Sequence, residues 1–408
     1  MLEFLLVLYL ISGPIKSFAS IGLISFPCDL TLLTASFLMV FFLHNQIDYS
    51  KQSFCYNRGS IIWYALLIFW LWMIISLVYT SSNNYSLSKT FSFITNLIPF
   101  LVISFSTTFS IKRFLLLFLV ANVVVSCLFI PLYSTFRVAS VTEEIRSFMG
   151  LYLSLGTNIG LIIVLLLSTT EKMLHDKWKM MMIMLLWALL IILGARGPLM
   201  FAFIVMLGIM YKDYQSFIQF LKKNILYVFL VLMFCIGIAY YIELKTGGMI
   251  SLLFDFSIER LSLILDGLFS SDNDMGDSAN TRVELIYFSI AHIFSSVFVF
   301  LFGTGIGSFG YEWTGVDMRL YPHNIILEIL FELGFIGLLI FGYILYILWK
   351  NYSLYRKKYV SGFVLFYIFL NLMKSNCLED LRVYFSFIAI YILFQNRKSK
   401  DLFQYSTK

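Results

Sequence analysis

Residues 321–341 read YPHNIILEILFELGFIGLLIF, and this stretch decides the fold class. After its proline the run is almost wholly apolar and long enough for a helix that crosses a bilayer, which takes about 20 residues. Glu328 and Glu332 are four residues apart, so they share one face of that helix. An acidic group inside a spanning helix is costly, so it indicates a functional site or a polar contact within the protein interior.

The composition of the whole chain also indicates a membrane protein. Of its 408 residues, 60% are hydrophobic and 13% are charged, whereas a soluble domain carries about 25% charged residues. The net charge of +6 is explained by cytoplasmic loops rather than by nucleic-acid binding, because basic residues select the cytoplasmic side of a membrane. We therefore expect contacts with membrane lipids and none with nucleic acid.

Apolar runs along the chain predict an all-α integral membrane protein with about 12 transmembrane helices. The N-terminus lacks the basic start of a cleaved signal peptide, so the first run is expected to be a retained helix. The predicted spans are 2–22, 28–44, 59–79, 90–108, 114–133, 150–169, 179–194, 197–211, 224–243, 324–349, 359–376 and 382–396.

Loop charges orient these spans. With a cytoplasmic N-terminus, the short inner loops hold most of the 29 Lys and Arg, so the positive-inside rule predicts that both termini are cytoplasmic. Loops 212–223 and 350–358 are both basic, which places everything from 244 to 323 outside. The predicted organisation is nine helices over 1–243, a large external loop over 244–323, and three helices with a cytoplasmic tail over 324–408.

The external loop contains helical patterns of its own. Residues 284–302 are apolar enough to cross the membrane, but a single crossing there would invert the topology of one end. We therefore predict an interfacial or re-entrant helix at 284–302 and a second interfacial helix over about 249–268. Loops of this length are usually functional or disordered, and the apolar helical content favours a function.

One group of candidate site residues surrounds the proline of the opening stretch. Tyr321 precedes it, and His323 and Asn324 follow it at the first turn of the helix. The histidine is either an interfacial anchor or a functional group. For the glutamates of the helix, Glu328 among them, the alternatives are an ion pair inside the bundle and a functional acid.

Arginines form the second group of candidates. Arg196 is the only charge in the turn Gly194–Pro198, where small residues let a ligand approach the backbone. Its guanidinium either offers a fork of donors to phosphate or snorkels to lipid headgroups. Arg282 begins the predicted interfacial helix, and Arg146 flanks the sixth span. The glycine-rich loop 303–310 is either a phosphate cradle or a hinge.

The sequence predicts no metal site and no cofactor. The acidic run SDNDMGD at 271–277 departs from the EF-hand order, because Gly276 is misplaced and Val283 stands where the closing Glu belongs. The five cysteines are scattered without a CxxC pair, so they read as small apolar residues. P-loop, HExxH and GxSxG motifs are absent from the sequence.

The run HNIILEILFELGFIG at 323–337 matches the HN-x9-G-x-x-G pattern of a known superfamily. With the Arg196 turn, the Arg282 helix start and loop 303–310 in the expected order, the chain resembles the O-antigen ligases and polymerases over about 150 residues. The first 140 residues match only in hydropathy. The resemblance implies a bundle like that of the GT-C membrane glycosyltransferases, covered by a large periplasmic loop that carries interfacial helices.

The resemblance further implies lipopolysaccharide biosynthesis in the bacterial inner membrane, with a periplasmic active site. The donor would be an oligosaccharide on undecaprenyl diphosphate. The form YPHNIILEILFELG at 321–334, preceded by the glycine-rich loop, resembles more closely the O-antigen polymerase (Wzy type), which transfers the growing glycan onto a lipid-linked repeat unit. One alternative is the O-antigen ligase, which transfers the glycan to lipid A-core; an alternative of another class is a lipid-linked oligosaccharide flippase or transporter. A chain-length regulator and a flippase are implied partners.

The resemblance also suggests roles for the candidate residues. His323 would act as the general base on an acceptor hydroxyl. Arg196 and Arg282 would bind the diphosphate in place of a metal ion, and attack from the opposite face would make the transfer inverting. Further substrate-binding roles are expected for Arg146, Asn324, Tyr321 and Glu328.

Overall fold

The computed structural model is all-helical over the residues that it describes. These residues are 1–20, 29–47, 58–106, 109–137, 150–169, 173–212, 277–350, 360–374 and 377–392, together with isolated positions between 214 and 244. The helices are α1 (Leu2–Ser20), α2 (Leu30–Ile47), α3 (Arg58–Ser76), α4 (Asn84–Asn96), α5 (Ile98–Phe105), α6 (Ile111–Arg137), α7 (Leu151–Ser168), α8 (Asp176–Leu193), α9 (Arg196–Lys212), α10 (Asp277–Ile293), α11 (Val297–Phe302), α12 (Phe309–Thr314), α13 (Ile325–Lys350), α14 (Gly362–Leu372) and α15 (Arg382–Ile392).

Among the described residues, four stretches are long and apolar enough to cross a membrane, which agrees with a membrane protein. They are Asn84–Phe105, Ile111–Leu132, Leu151–Ser168 and Ile325–Lys350. Shorter apolar helices are Leu30–His44, Ile61–Ser76, Gly362–Leu372 and Arg382–Ile392. The predicted interfacial helix at 249–268 and nearly all of the predicted span 224–243 lie outside the described residues. The count of about 12 spans and the GT-C-like bundle stay predictions.

The chain forms two compact units. The first contains Met1–Leu38, Ser110–Asn273 and Tyr355–Tyr367, and the second contains Met39–Phe109, Asp274–Leu354 and Ile368–Lys408. Each unit combines segments that are far apart in sequence. The predicted division into 1–243, 244–323 and 324–408 concerns sides of a membrane and stays a prediction.

In the first unit, α7 packs closely against its neighbours because it carries small residues. A Cβ atom on Gly160 would lie 2.2 Å from the hydroxyl oxygen of Tyr367, which itself donates a hydrogen bond to the Thr157 carbonyl at 3.1 Å. A buried amide pair joins α7 to α6, with Asn158 Nδ2 donating to Asn122 Oδ1 at 3.0 Å. Small residues and interhelical hydrogen bonds are the usual means of helix association in membranes.

In the second unit, α13 is interrupted at Gly334, where φ is 66° and ψ is −170°. The carbonyl groups before such a break lose their partners within the helix. The backbone N–H of Thr304 donates to the Phe331 carbonyl at 2.9 Å, and that of Gly305 donates to the Glu332 carbonyl, also at 2.9 Å. The loop 303–310 therefore completes the hydrogen bonding of the broken helix.

The close approach of this loop to α13 depends on two glycines. A Cβ atom on Gly303, where φ is 80°, would lie 2.4 Å from the backbone carbonyl carbon of Glu332. A Cβ atom on Gly334 would lie 2.4 Å from the carbonyl oxygen of Leu301. The glycines thus have a packing function, which neither the cradle nor the hinge interpretation of the sequence includes.

The apolar stretch 284–302 differs from the single interfacial helix that its hydropathy predicts. Helix α10 ends at Ile293, and α11 begins at Val297. The reason is a new N-terminus at Ser296, whose side chain accepts a hydrogen bond from the Val299 N–H at 3.1 Å. A serine in this position is a favoured helix cap.

Candidate functional site

His323 occupies a strained position immediately before α13. Its φ of 55° is the one positive value among the described residues other than glycine. Such a conformation costs about 1–3 kcal/mol and persists only where the surrounding structure holds it. The imidazole lies against the ring of Tyr321, with ring centroids 4.5 Å apart. The two predicted site residues on either side of the proline are therefore in contact.

Asn324 fixes the start of α13. Its Oδ1 accepts hydrogen bonds from the backbone N–H groups of Ile326 at 3.0 Å and Leu327 at 3.1 Å, which is the geometry of an N-cap. Its Nδ2 donates to the carbonyl of Met373 at 3.0 Å. Both ends of the amide contact protein, and the predicted role of Asn324 in substrate binding stays a prediction.

The surroundings of His323 favour a neutral imidazole. Burial, assisted by the positive charge of Arg282, lowers the pKa of His323 to about 4. Its Nδ1 is buried and has no hydrogen-bond partner among the residues that the structure describes. The predicted pair of His323 and Arg282 is thus close enough to interact electrostatically. A neutral imidazole with a free nitrogen is able to accept a proton.

Tyr321 stays protonated at neutral pH in this environment. Burial, together with the negative charge of Asp380, raises the pKa of Tyr321 above its ordinary value. Its hydroxyl therefore stays a hydrogen-bond donor.

The remaining arginine candidates are Arg196 and Arg146. Arg196 begins α9 in the first unit, after Gly194 ends α8 with a φ of 64°. The sequence correctly predicts this glycine as the point where two helices meet. Arg146 lies outside the described residues. The binding roles of both arginines stay predictions.

Glu328 and Glu332 form a buried ion cluster with Lys89 of α4. Lys89 Nζ lies 2.6 Å from Glu328 Oε1 and 2.7 Å from Glu332 Oε2. All three side chains are 0% exposed. Of the two sequence alternatives for the glutamates, the structure shows the ion pair inside the bundle. The cluster accounts for the polar groups within an apolar helix.

The sequence interpretation misses Lys89 because it starts the fourth span at residue 90. The structure instead begins α4 at Asn84, so Lys89 lies within the helix. The polar residues at the start of this helix lower its hydropathy, so the sequence does not reveal where it begins. In the structure, the side chain of Asp317, far away in the sequence, accepts hydrogen bonds from backbone N–H groups at this start. Two acidic residues in a spanning helix imply a basic partner in another one, and Lys89 lies one residue before the predicted start of the fourth span.

A second polar cluster connects the His323 segment to the 3-10 turn at Leu378–Asp380. Arg319 lies 2.8 Å from Glu379 and 2.9 Å from Asp380. The backbone N–H of Leu378 donates to Glu328 Oε2 at 3.2 Å. The sequence alone indicates no role for Glu379 and Asp380 of this turn, because their spacing does not point to a partner.

No group of three or more potential metal ligands occurs among the described residues. The acidic run 271–277 lies almost entirely outside them, so this finding does not test it. His323 contacts the aromatic ring of Tyr321 and lies within electrostatic range of the positive charge of Arg282, and a positive charge suits an anionic ligand better than a cation.

Comparison with known proteins gives one match. Residues 180–342 match the model of a family described as O-antigen ligase. No curated protein and no solved structure matches the chain. The matched segment is less than half of the chain, but it contains Arg196, Arg282 and His323. The match supports the resemblance to the superfamily of O-antigen ligases and polymerases, and the apolar helices indicate a multi-pass membrane protein.

Proposed function

We propose that this protein transfers a glycan from a polyprenyl diphosphate carrier to an acceptor sugar, with His323 as the general base. The observation that carries the proposal is the half-buried imidazole of His323 within electrostatic range of Arg282, with its buried Nδ1 unpartnered among the described residues. A base that is neutral at pH 7 is ready to accept a proton. The family match over residues 180–342 supports the same class of reaction.

In the proposed step, the acceptor hydroxyl loses its proton to the imidazole while its oxygen bonds to the anomeric carbon of the donor. The bond from that carbon to the diphosphate oxygen breaks, and the diphosphate leaves with the electron pair. Because attack comes from the face opposite the leaving group, the anomeric centre is inverted. Positive charge placed where negative charge develops stabilises such a transition state.

The positive charge of Arg282 suits both changes of charge in this step, which are the negative charge that develops on the diphosphate and the proton that the imidazole takes up. Without a ligand, its charge opposes protonation of His323 and helps to lower the pKa of the imidazole. A bound diphosphate would offset that charge, so His323 would become more basic when the donor is present. The base would thus gain strength in the complex in which it acts.

Arg196 is a second proposed diphosphate ligand, on the basis of its sequence context and the match. A guanidinium binds phosphate through two parallel hydrogen bonds, which a lysine ammonium cannot reproduce. We expect Arg196→Lys and Arg282→Lys each to reduce transfer by at least about tenfold, since a hydrogen bond to a charged group contributes about 1.5–3 kcal/mol. Full activity in both variants would argue against this mode of binding.

Two candidate reactions differ in their acceptor. We propose the polymerase reaction, in which the acceptor is another lipid-linked repeat unit, because of the sequence around His323. The ligase reaction, with lipid A-core as the acceptor, is the second candidate, and the description of the matching family favours it.

A direct experiment separates these reactions. Purified protein in nanodiscs would receive undecaprenyl-diphosphate-linked repeat units isolated from cells that lack the protein. Elongation without lipid A-core supports the polymerase, and transfer only after lipid A-core is added supports the ligase. Neither product, together with movement of the lipid-linked repeat units across proteoliposome membranes, would indicate the flippase and contradict the proposal.

The proposed location is the inner membrane, with the site periplasmic and both termini cytoplasmic. Val316 lies between α12 and α13 and is 58% exposed, so it offers a labelling position. In a Val316→Cys variant, a membrane-impermeant thiol reagent should label intact spheroplasts. Labelling only after the membrane is opened would place this loop in the cytoplasm and contradict the proposed side.

A further inference from the structure

Lys89 connects two successive turns of the helix that begins next to His323. Its ammonium lies 2.6 Å from Glu328 Oε1 and 2.7 Å from Glu332 Oε2, with all three groups fully buried. These glutamates are four residues apart and so occupy one face of the helix. A single cation that binds both fixes the rotation of α13 about its axis, because any rotation would separate a buried charge from its partner.

The same cluster extends to the 3-10 turn at Leu378–Asp380. The carboxylate of Glu328 accepts the backbone N–H of Leu378 at 3.2 Å. Asn324 donates to the Met373 carbonyl at 3.0 Å, which adds a second link between α13 and this segment. The start of α13 is therefore held from two sides, by Lys89 of α4 and by the backbone of Met373 and Leu378.

His323 needs this support because its backbone conformation is unfavourable. A φ of 55° is maintained only when neighbouring contacts determine the geometry on both sides. The N-cap at Asn324 fixes the residue that follows it, and the cluster fixes the turn after that. The position of the imidazole against Tyr321 thus depends on contacts that other residues make.

We propose that Lys89 is a positioning residue for His323: by pairing with Glu328 and Glu332, it fixes the start of α13 and so holds the imidazole in place against Tyr321. This inference rests on the proposed function, because it assumes that His323 acts as the base. It assigns the buried glutamates to alignment of the site, with no direct contact to the glycan.

The test compares variants that remove the ion cluster in different ways. Lys89→Met leaves two carboxylates without their partner and risks unfolding. The triple variant Lys89→Met/Glu328→Gln/Glu332→Gln replaces the cluster with neutral side chains of similar shape, so no buried charge is left unpaired. Asn122→Leu is the matched control, because it removes a buried polar contact from α6 in the first unit.

Turnover is measured in nanodiscs with undecaprenyl-diphosphate-linked repeat units from cells that lack the protein. We expect kcat of the folded triple variant to fall at least about tenfold, since small misplacements of catalytic groups have effects of this size or more. KM should change less than about threefold, because the donor still binds. Asn122→Leu should keep kcat within about twofold of the original protein.

The pH profile provides a measurement that general destabilisation would not alter. Arg282 of α10 is the charged group that acts on His323. Tyr321 contacts the imidazole, and the pKa of its own hydroxyl is influenced by the charges of Cys377, Asp380 and Arg319. Release of the imidazole from these surroundings would return its pKa toward about 6.5. Since kcat/KM reports on the free enzyme, kcat/KM of the triple variant at pH 5.5 should then be about one tenth of its value at pH 7.5, and the control should show no such loss.

The outcomes distinguish this inference from the function beneath it. If His323→Ala abolishes turnover but the triple variant matches the original protein in kcat and pH profile, only the positioning role of Lys89 is overturned. If His323→Ala turns over normally, the proposed base and the inference both fall. An equal loss of kcat and an equal pH profile in Asn122→Leu would show that buried polar contacts act only through stability, which also overturns the inference.

Discussion

The indole Nε1 of Trp72 donates a hydrogen bond to the backbone carbonyl of Leu333, 3.0 Å away, at the residue before the break in α13. This bond joins α3 to a carbonyl that has lost its partner within the helix. Together with the N–H groups of loop 303–310, it compensates for the break inside an apolar helix. The helical segment that starts at Ile325, next to His323, therefore ends at Gly334 instead of continuing as a regular helix.

Trp72→Phe should destabilise the protein by about 1–3 kcal/mol, because it leaves the Leu333 carbonyl without a partner in an apolar environment. Thermal unfolding in detergent measures the effect. Trp178→Phe is a suitable control, since Trp178 is 64% exposed and its replacement should alter stability very little. Equal unfolding temperatures for both variants would contradict this role of Trp72.

Gly334→Ala should prevent correct folding of the second unit. The added methyl would meet the Leu301 carbonyl oxygen at 2.4 Å, and φ at this position is 66°. Gly342→Ala, in the same helix, is the matched control, because among the described residues no heavy atom lies within 4 Å of its added Cβ. Size-exclusion profiles should show loss of monodisperse Gly334→Ala and normal Gly342→Ala. A monodisperse and active Gly334→Ala protein would refute the tight packing described above.

Asp317 should stabilise α4 in a pH-dependent manner. It accepts hydrogen bonds from Ser82 Oγ at 2.6 Å and from the Asn84 N–H at 2.8 Å. Partial burial raises the pKa of Asp317, but these hydrogen bonds outweigh that effect and lower the pKa from its ordinary value of 3.8. The stabilisation is therefore present above the ordinary pKa and is lost as pH falls through the lower pKa of the folded state.

Asp317→Asn tests this expectation through the unfolding temperature. The variant should unfold at a lower temperature than the original protein at pH 6, and the difference should shrink as the pH approaches 3. A difference that is the same at both pH values would show that the charge of Asp317 does not contribute.

The activity of the protein should not follow the titration of an ordinary histidine. Since the pKa of His323 is lowered to about 4, its imidazole is neutral from pH 5.5 to 7.5. The titration of His323 should therefore change kcat/KM, which reports on the free enzyme, very little over this pH range. An inflection near pH 6.5 that disappears in His323→Gln would mean that the imidazole is exposed in the active protein.

Hydropathy predicts most helices of the described residues to within a few residues at each end. The predicted span 150–169 corresponds to Leu151–Ser168, and 28–44 corresponds to Leu30–Ile47. A long apolar run is recognised from its composition alone, without any periodic pattern. The break at Gly334 is missed for the same reason, because a run that remains apolar does not reveal where its hydrogen bonding changes.

The candidate site is predictable only in part. The sequence correctly places His323 before a helix, and the structure brings it near Arg282 of α10. Lys89 is missed because its role depends on a contact across 243 residues of sequence with Glu332. Loop 303–310 is predicted to be a phosphate cradle or a hinge, whereas the structure packs it against α13; glycine permits all three, and only the neighbouring helix decides between them.

The most direct measurement is the single-turnover rate of His323→Ala with undecaprenyl-diphosphate-linked repeat units, beside the original protein in identical nanodiscs. The account predicts that the folded variant transfers the glycan at least about 100-fold more slowly, which is the lower range for loss of a general base, and that added imidazole partly restores the rate. A folded variant that transfers at the original rate would contradict the account.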